Sequence, residues 1–162
     1  MTNTPAIVLQ RVSEDYERIG DLLDLIRLGF AYMEGVIDPP SSANRLNEAM
    51  LREKCNAEVA IVAVEDDALA GCVFLAEKDD HFYLGKLVVD PTAQGKGIGK
   101  LLVQEAERIA IAARKPLIEL QVRIELTSNH AIFTRLGFVE TARTSHAGYT
   151  RPTSITMRKQ LA

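Results

Sequence analysis

The chain has no tryptophan, two cysteines and three histidines among its 162 residues. Cys55 and Cys72, with no second pair and no Cys/His cluster at zinc spacing, exclude a disulfide framework and a structural zinc site, and they fit a reducing compartment. No apolar run approaches the roughly 20 residues needed to cross a bilayer. The opening MTNTPAIVLQRV lacks the charged-then-apolar pattern of a secretory leader, so the expectation is a cytoplasmic protein with no membrane partner. Neither charge sign dominates: the net charge is −3, which gives no global attraction to nucleic acid. Linkers, internal repeats and low-complexity tracts are missing too. With 47% hydrophobic and 25% charged residues, the composition is that of an ordinary globular protein, and the length predicts one domain over residues 1–162.

Residues 6–12 read as a strand, followed by Ser13 as a helix N-cap. Ile19, Leu22, Leu23, Ile26 and Phe30 recur at helical spacing, which predicts a helix from about residue 14 to the low thirties. Pro39 and Pro40 end that region, since each fixes φ and the first pushes Asp38 out of helical space. A short helix is expected over 43–54. Three apolar runs between residues 57 and 90, separated by EDD with Gly71 nearby and by EKDD, predict an antiparallel meander. Leu101, Leu102, Ala106, Ile109 and Ala110 form the stripe of a further helix. Pro116 opens a strand, LIELQV, then comes a short helix over 128–136 stopped by Gly137, and two closing strands flank the loop HAGYTRP. That order predicts a mixed α/β sheet with helices on both faces.

The stretch DPTAQGKGIGKLL carries the clearest chemistry. Gly95, Gly97 and Gly99 stand between a β-branched strand and a helix, although glycine inside a helix costs about 1 kcal/mol relative to Ala. A strand, a glycine turn and a helix N-terminus together expose backbone N–H groups at a positive helix end, which suits a diphosphate. Lys96 and Lys100 add charge at the rim. The nucleoside-triphosphate pattern needs a Ser or Thr after Gly99-Lys100, where Leu101 stands, and the dinucleotide fingerprint has different glycine spacing and sits near the start of its fold. The pattern that remains is Gln/Arg-x-x-Gly-x-Gly/Ala, met by Gln94, Gly97 and Gly99.

On these residues the chain resembles the GNAT acyltransferase superfamily. KLVVDPTAQGKGIGKLL is similar to its core strand, phosphate loop and helix, and NHAIFTRLGF to the helix and Gly-Phe pair that follow. The resemblance implies a mostly antiparallel sheet of six to seven strands with four helices on both faces, its core strands at 81–90 and 116–122 splayed in a V. It implies acetyl-CoA as cosubstrate and no metal. Leu87, Val88 and Val89 would lie along the pantetheine arm, and the N–H groups of Gly95, Lys96, Gly97, Ile98, Gly99 and Lys100, with Gln94, would hold the pyrophosphate. Asn129 would bond pantetheine or cap its helix, and Phe133 would pack in the core and against the cofactor. The implied reaction is acetyl transfer to a primary amine by direct attack.

Many members carry a tyrosine acid four residues before the glycine of Gly-Phe, and some carry a carboxylate in the core strand. Here the first position is Phe133, and HFYLGKLVV holds no carboxylate. Tyr149 in HAGYTRP, Glu34 after the first helix and Glu119 in the opposite strand are the substitute candidates, each against an ordinary structural role. His81, His130 and His146 stand apart from metal-type partners. An acyl-CoA sensor without turnover and a nucleotide-binding regulator are the competing classes. The acceptor is a small-molecule or peptide amine, and the C-terminal strands offer an edge for a homodimer.

Overall fold

The computed structural model describes residues 6–161. In chain order its elements are β1 (Ile7–Val12), α1 (Ile19–Phe30), α2 (Glu48–Ala57), β2 (Val59–Glu65), β3 (Ala68–Glu77), β4 (His81–Val89), α3 (Ile98–Ala112), β5 (Leu117–Arg123), α4 (Thr127–Arg135), β6 (Val139–Thr144) and β7 (Ser154–Gln160), with short 3-10 turns over 31–33, 42–45 and 91–93. The seven strands form one sheet in the order β1-β2-β3-β4-β5-β7-β6. All neighbours are antiparallel except β4 and β5. The expected mixed, mostly antiparallel sheet with four helices is therefore present.

Three local expectations change. α1 begins at Ile19 rather than near residue 14, because Ser13 closes a turn, its carbonyl accepting from the Tyr16 N–H at 3.1 Å, and Arg18 occupies the N-cap without a side-chain bond. The single helix expected over 43–54 is a 3-10 turn followed by α2, whose start is set by Asn47 accepting from the Met50 N–H at 2.9 Å. Gly71 lies inside β3, not in a turn: a Cβ there would stand 2.8 Å from the Val88 carbonyl and 3.1 Å from Leu102, so its absence lets α3 lie close on the sheet. The turn before β3 is the expected EDD separator, made by Asp66 and Asp67 alone, both at positive φ (+49° and +67°), which matches the twist of a two-residue hairpin.

Strand alternation divides the core in two. Val73, Leu75, Phe82, Leu84, Ile118 and Leu120 face α3, packing on Ile98, Leu102 and Ala106. Cys72, Phe74 and Val88 face α1 and α2, meeting Leu22, Ile26 and Leu51. Each Val, Leu, Ile or Phe among them contributes about 1.5–3 kcal/mol by leaving water. Burial pushes the Cys72 thiol up to about 12, so it is packing rather than a nucleophile.

The feature that opens the sheet is the short contact between β4 and β5. Only His81, Phe82 and Tyr83 pair with Leu117, Ile118 and Glu119. Beyond them β5 follows β7 for its whole length, and β4 stays with β3. The two central strands part past Tyr83, giving the expected V.

Candidate functional site

At the open end of β4 the chain turns sharply into α3. The Asp90 side chain accepts from the Thr92 N–H at 2.8 Å and from its hydroxyl at 2.7 Å, which fixes the first bend. Gly95 (φ +86°) and Gly97 (φ +79°) then take the left-handed conformation, and Gly97 is the N-cap of α3. The backbone N–H groups of residues 95–100 find no partner among the described residues. Gly99 differs from the other two: its φ is ordinary and an added Cβ would make only a 3.6 Å contact with Val89. Nothing in the surrounding chain requires a glycine there, so the space it leaves faces outward. Six consecutive N–H groups at a positive helix end are a chemistry that suits an anion.

The expected rim lysines separate. Lys96 pairs with Glu65 at 2.7 Å, while Lys100 has no carboxylate partner among the described residues. Gln94 is exposed and makes no side-chain bond among the described residues. Ile98 and Val88 point into the two cores, so only their backbone faces the loop and cleft.

Where β4 and β5 part, a cleft of about 410 Å³ opens. Leu84, Leu87, Leu120 and Val122 form its wall on the α3 side. Phe30, Tyr83, Lys54 and Lys86 stand on the α1 side, with Asn129 and Phe133 of α4 at the mouth. Phe133 stacks edge-on against Phe138, with ring centres 5.8 Å apart, so it serves core and cleft together. Asn129 does not cap its helix. Its amide donates to the Tyr32 hydroxyl at 3.2 Å across the cleft mouth, and the α4 cap position is Leu126.

The substitute acid and base candidates do not converge. Glu119 is held by Arg158 at 2.7 Å and stands with His81 in a separate depression at the closed end of the V, outside the cleft. Tyr149 donates to Asp38, which also takes Arg151, and this exposed cluster ties the β6–β7 loop to the segment after α1. Hydrogen bonding to Asp38 and burial hold its phenol above the usual tyrosine range, but Tyr149 is not among the cleft-lining residues. Glu34 is exposed in a side hollow whose walls Phe30, Met33, Ile37 and Ser41 also line the cleft.

One hydroxyl was missed from the sequence. Tyr83 lies at the point where the strands separate, half-buried, and burial holds its phenol above the ordinary value, protonated at neutral pH. The signal was present: alternation within HFYLGKLVV puts Tyr83 on the face opposite Phe82 and Leu84.

Comparison with known proteins agrees with this arrangement. A family model described as Acetyltransferase (GNAT) family matches residues 25–138. No curated protein sequence matches the chain. Among solved structures, the chain is similar to the PaiA N-acetyltransferase of Thermoplasma acidophilum in complex with coenzyme A, at 18% identity over 96% of this chain and 99% of that one, with a TM-score of 0.81. It is similar also to aminoglycoside 6'-acetyltransferase type Ii, at 21% identity over 96% and 97%, TM-score 0.75. The ribosomal-protein-S18-alanine N-acetyltransferase of Escherichia coli matches at 16% over 97% and 95%, TM-score 0.75. At such identities these are likenesses of fold.

Proposed function

The chain belongs to the acetyltransferase (GNAT) family, and on that premise we propose that it transfers the acetyl group of acetyl-CoA to a primary amine by direct attack, with both substrates held together in the cleft. The observation that carries this reading is the run of open N–H groups over residues 95–100 at the end of a parted strand pair. These N–H groups would receive a diphosphate, and the open edge of β4 at Leu87, Val88 and Val89 leads from them into the cleft, the path a pantetheine arm would take.

In this reading the amine nitrogen bonds to the thioester carbon, the oxyanion is met by an N–H on the open edge of β4 where the strands part, and the C–S bond then breaks. Bringing the two substrates together supplies most of the acceleration, and the fixed N–H dipole supplies more. Tyr83 is the acid that returns a proton to the leaving thiolate, since it lines the cleft and its phenol stays protonated. Glu34, beside the acceptor wall, is the better placed of the earlier candidates to accept the ammonium proton. Asn129 and Phe133 would line the pantetheine passage. The two free, buried thiols fit a reducing, cytoplasmic setting.

Calorimetric titration with acetyl-CoA, with ATP and NAD as controls, followed by thiol release against an amine panel, tests the proposal. Acetyl-CoA binding with amine-dependent thiol release supports it. Binding without release by any amine would indicate a sensor, and binding of ATP or NAD in place of CoA would overturn the reading.

A further inference from the structure

The cleft is lopsided in charge. Among the described residues that line it are Lys54, Lys86, Arg123 and His146, and none is Asp or Glu. Two of the cations are already engaged: Lys54 pairs with Glu58 at 2.6 Å, and Arg123 donates to the carbonyls of Pro39 at 2.7 Å and Pro40 at 3.3 Å. Lys86 has no carboxylate or carbonyl partner among the described residues, and its ammonium lies 5.2 Å from the centre of the Phe30 ring.

The backbone places Lys86 there deliberately. Opposite β3, Gly85 pairs with Phe74 and Val88 with Cys72, so Lys86 and Leu87 together face one residue, a β-bulge, and Lys86 takes φ +49°. Without the bulge, alternation would send residue 86 toward α3. With it, Gly85 and Lys86 both face the α1 side, and a half-buried ammonium enters the cleft. Such a charge is stable without a permanent counter-ion only weakly, with help from the aromatic face.

Resting on the acetyltransferase reading, we propose that the acceptor is an amine that also carries an anion, a carboxylate or a phosphate, and that Lys86 receives it. An amino acid or a phosphorylated amine meets this description. A polycation such as a polyamine or an aminoglycoside would bring like charge against Lys86 and Arg123 and is disfavoured.

The test compares matched acceptors with acetyl-CoA: the common amino acids, the same compounds as α-amides, phosphoethanolamine and spermidine. Binding to the CoA-loaded protein and kcat/KM are both read. The expected result is that an anionic acceptor exceeds its neutral counterpart by about tenfold or more, the scale of one lost charged hydrogen bond; phosphoethanolamine against the amino acids tells which anion is used. Lys86→Met should erase that preference and Lys86→Arg restore it, with acetyl-CoA affinity equal in all three proteins. An amide or spermidine used as well as the anionic amines, a preference that survives in Lys86→Met, or acetyl-CoA binding with no anionic amine bound or acetylated would each overturn the inference while leaving the acetyltransferase reading in place. Failure to bind acetyl-CoA would bring down that reading and this inference together.

Discussion

At the α3 end the cleft is approached by backbone N–H groups from one unbroken stretch, residues 95–100, whereas its interior is assembled from side chains of α1, the turn after it, α2, β4 and β5. The first is local and depends on glycine. The second depends on how distant segments pack, and a single glycine, Gly29, sets one of those distances: a Cβ on it would stand 2.2 Å from Val88. A site made of backbone tolerates almost no side chain at its surface but is indifferent to the rest of the chain. A site made of side chains can change its substrate without changing the fold.

The largest effect that would sharpen this contrast is expected from Gly99→Val. The position has ordinary φ and room within the fold, so the branched side chain enters only the anion space. CoA affinity should fall about a hundredfold or more, with Tm moved little, as several charge-assisted N–H bonds are displaced; calorimetry and a melting curve read both. Retained affinity would break the comparison at its firmer end.

Next, Tyr83→Phe should lower kcat about a hundredfold with CoA affinity unchanged, the usual scale for removing a general acid. Because burial raises its pKa above the ordinary tyrosine value, the alkaline fall in rate of the unaltered protein should come later than that of an exposed tyrosine, and that limb should disappear in the variant. An unchanged kcat would remove Tyr83 from the mechanism.

Gly29→Ala should act through packing: forcing α1 off β4 should destabilise the protein by about 1–3 kcal/mol and raise the acceptor KM, leaving CoA affinity alone. Denaturant melts and kinetics with both substrates varied check this. The smallest effect is expected from Tyr149→Phe, whose exposed bond to Asp38 lies outside the cleft; kcat should change by about twofold at most, in line with other surface substitutions. A large loss would return Tyr149 to the catalytic centre.

The same contrast explains what could be read from the sequence. The order of strands and helices followed from periodicity, and the sharp turn into α3, with its open N–H groups, from glycines that a helix entrance does not otherwise tolerate. Ser13 was misread because a serine ahead of a helical stripe resembles a cap, while the first stripe residue, Ile19, lies six positions later and the chain turns once in between. Glu119 looked free because nothing in LIELQV shows that antiparallel pairing with β7 sets Arg158 opposite it. Lys86 was invisible for a different reason: simple alternation puts it on the wrong face, and only a bulge in the pairing with β3 turns it into the cleft. Tyr83, by contrast, required only the alternation already in use.

The central claim is that the amides of residues 95–100 hold the pyrophosphate of CoA. The direct measurement is a two-dimensional amide spectrum of nitrogen-15-labelled protein titrated with CoA. The account predicts that the resonances of Gly95, Lys96, Gly97, Ile98, Gly99 and Lys100 shift together and by more than those of any other segment, as N–H groups with no partner in the chain acquire one. CoA binding that moves other amides and leaves these six in place would contradict it.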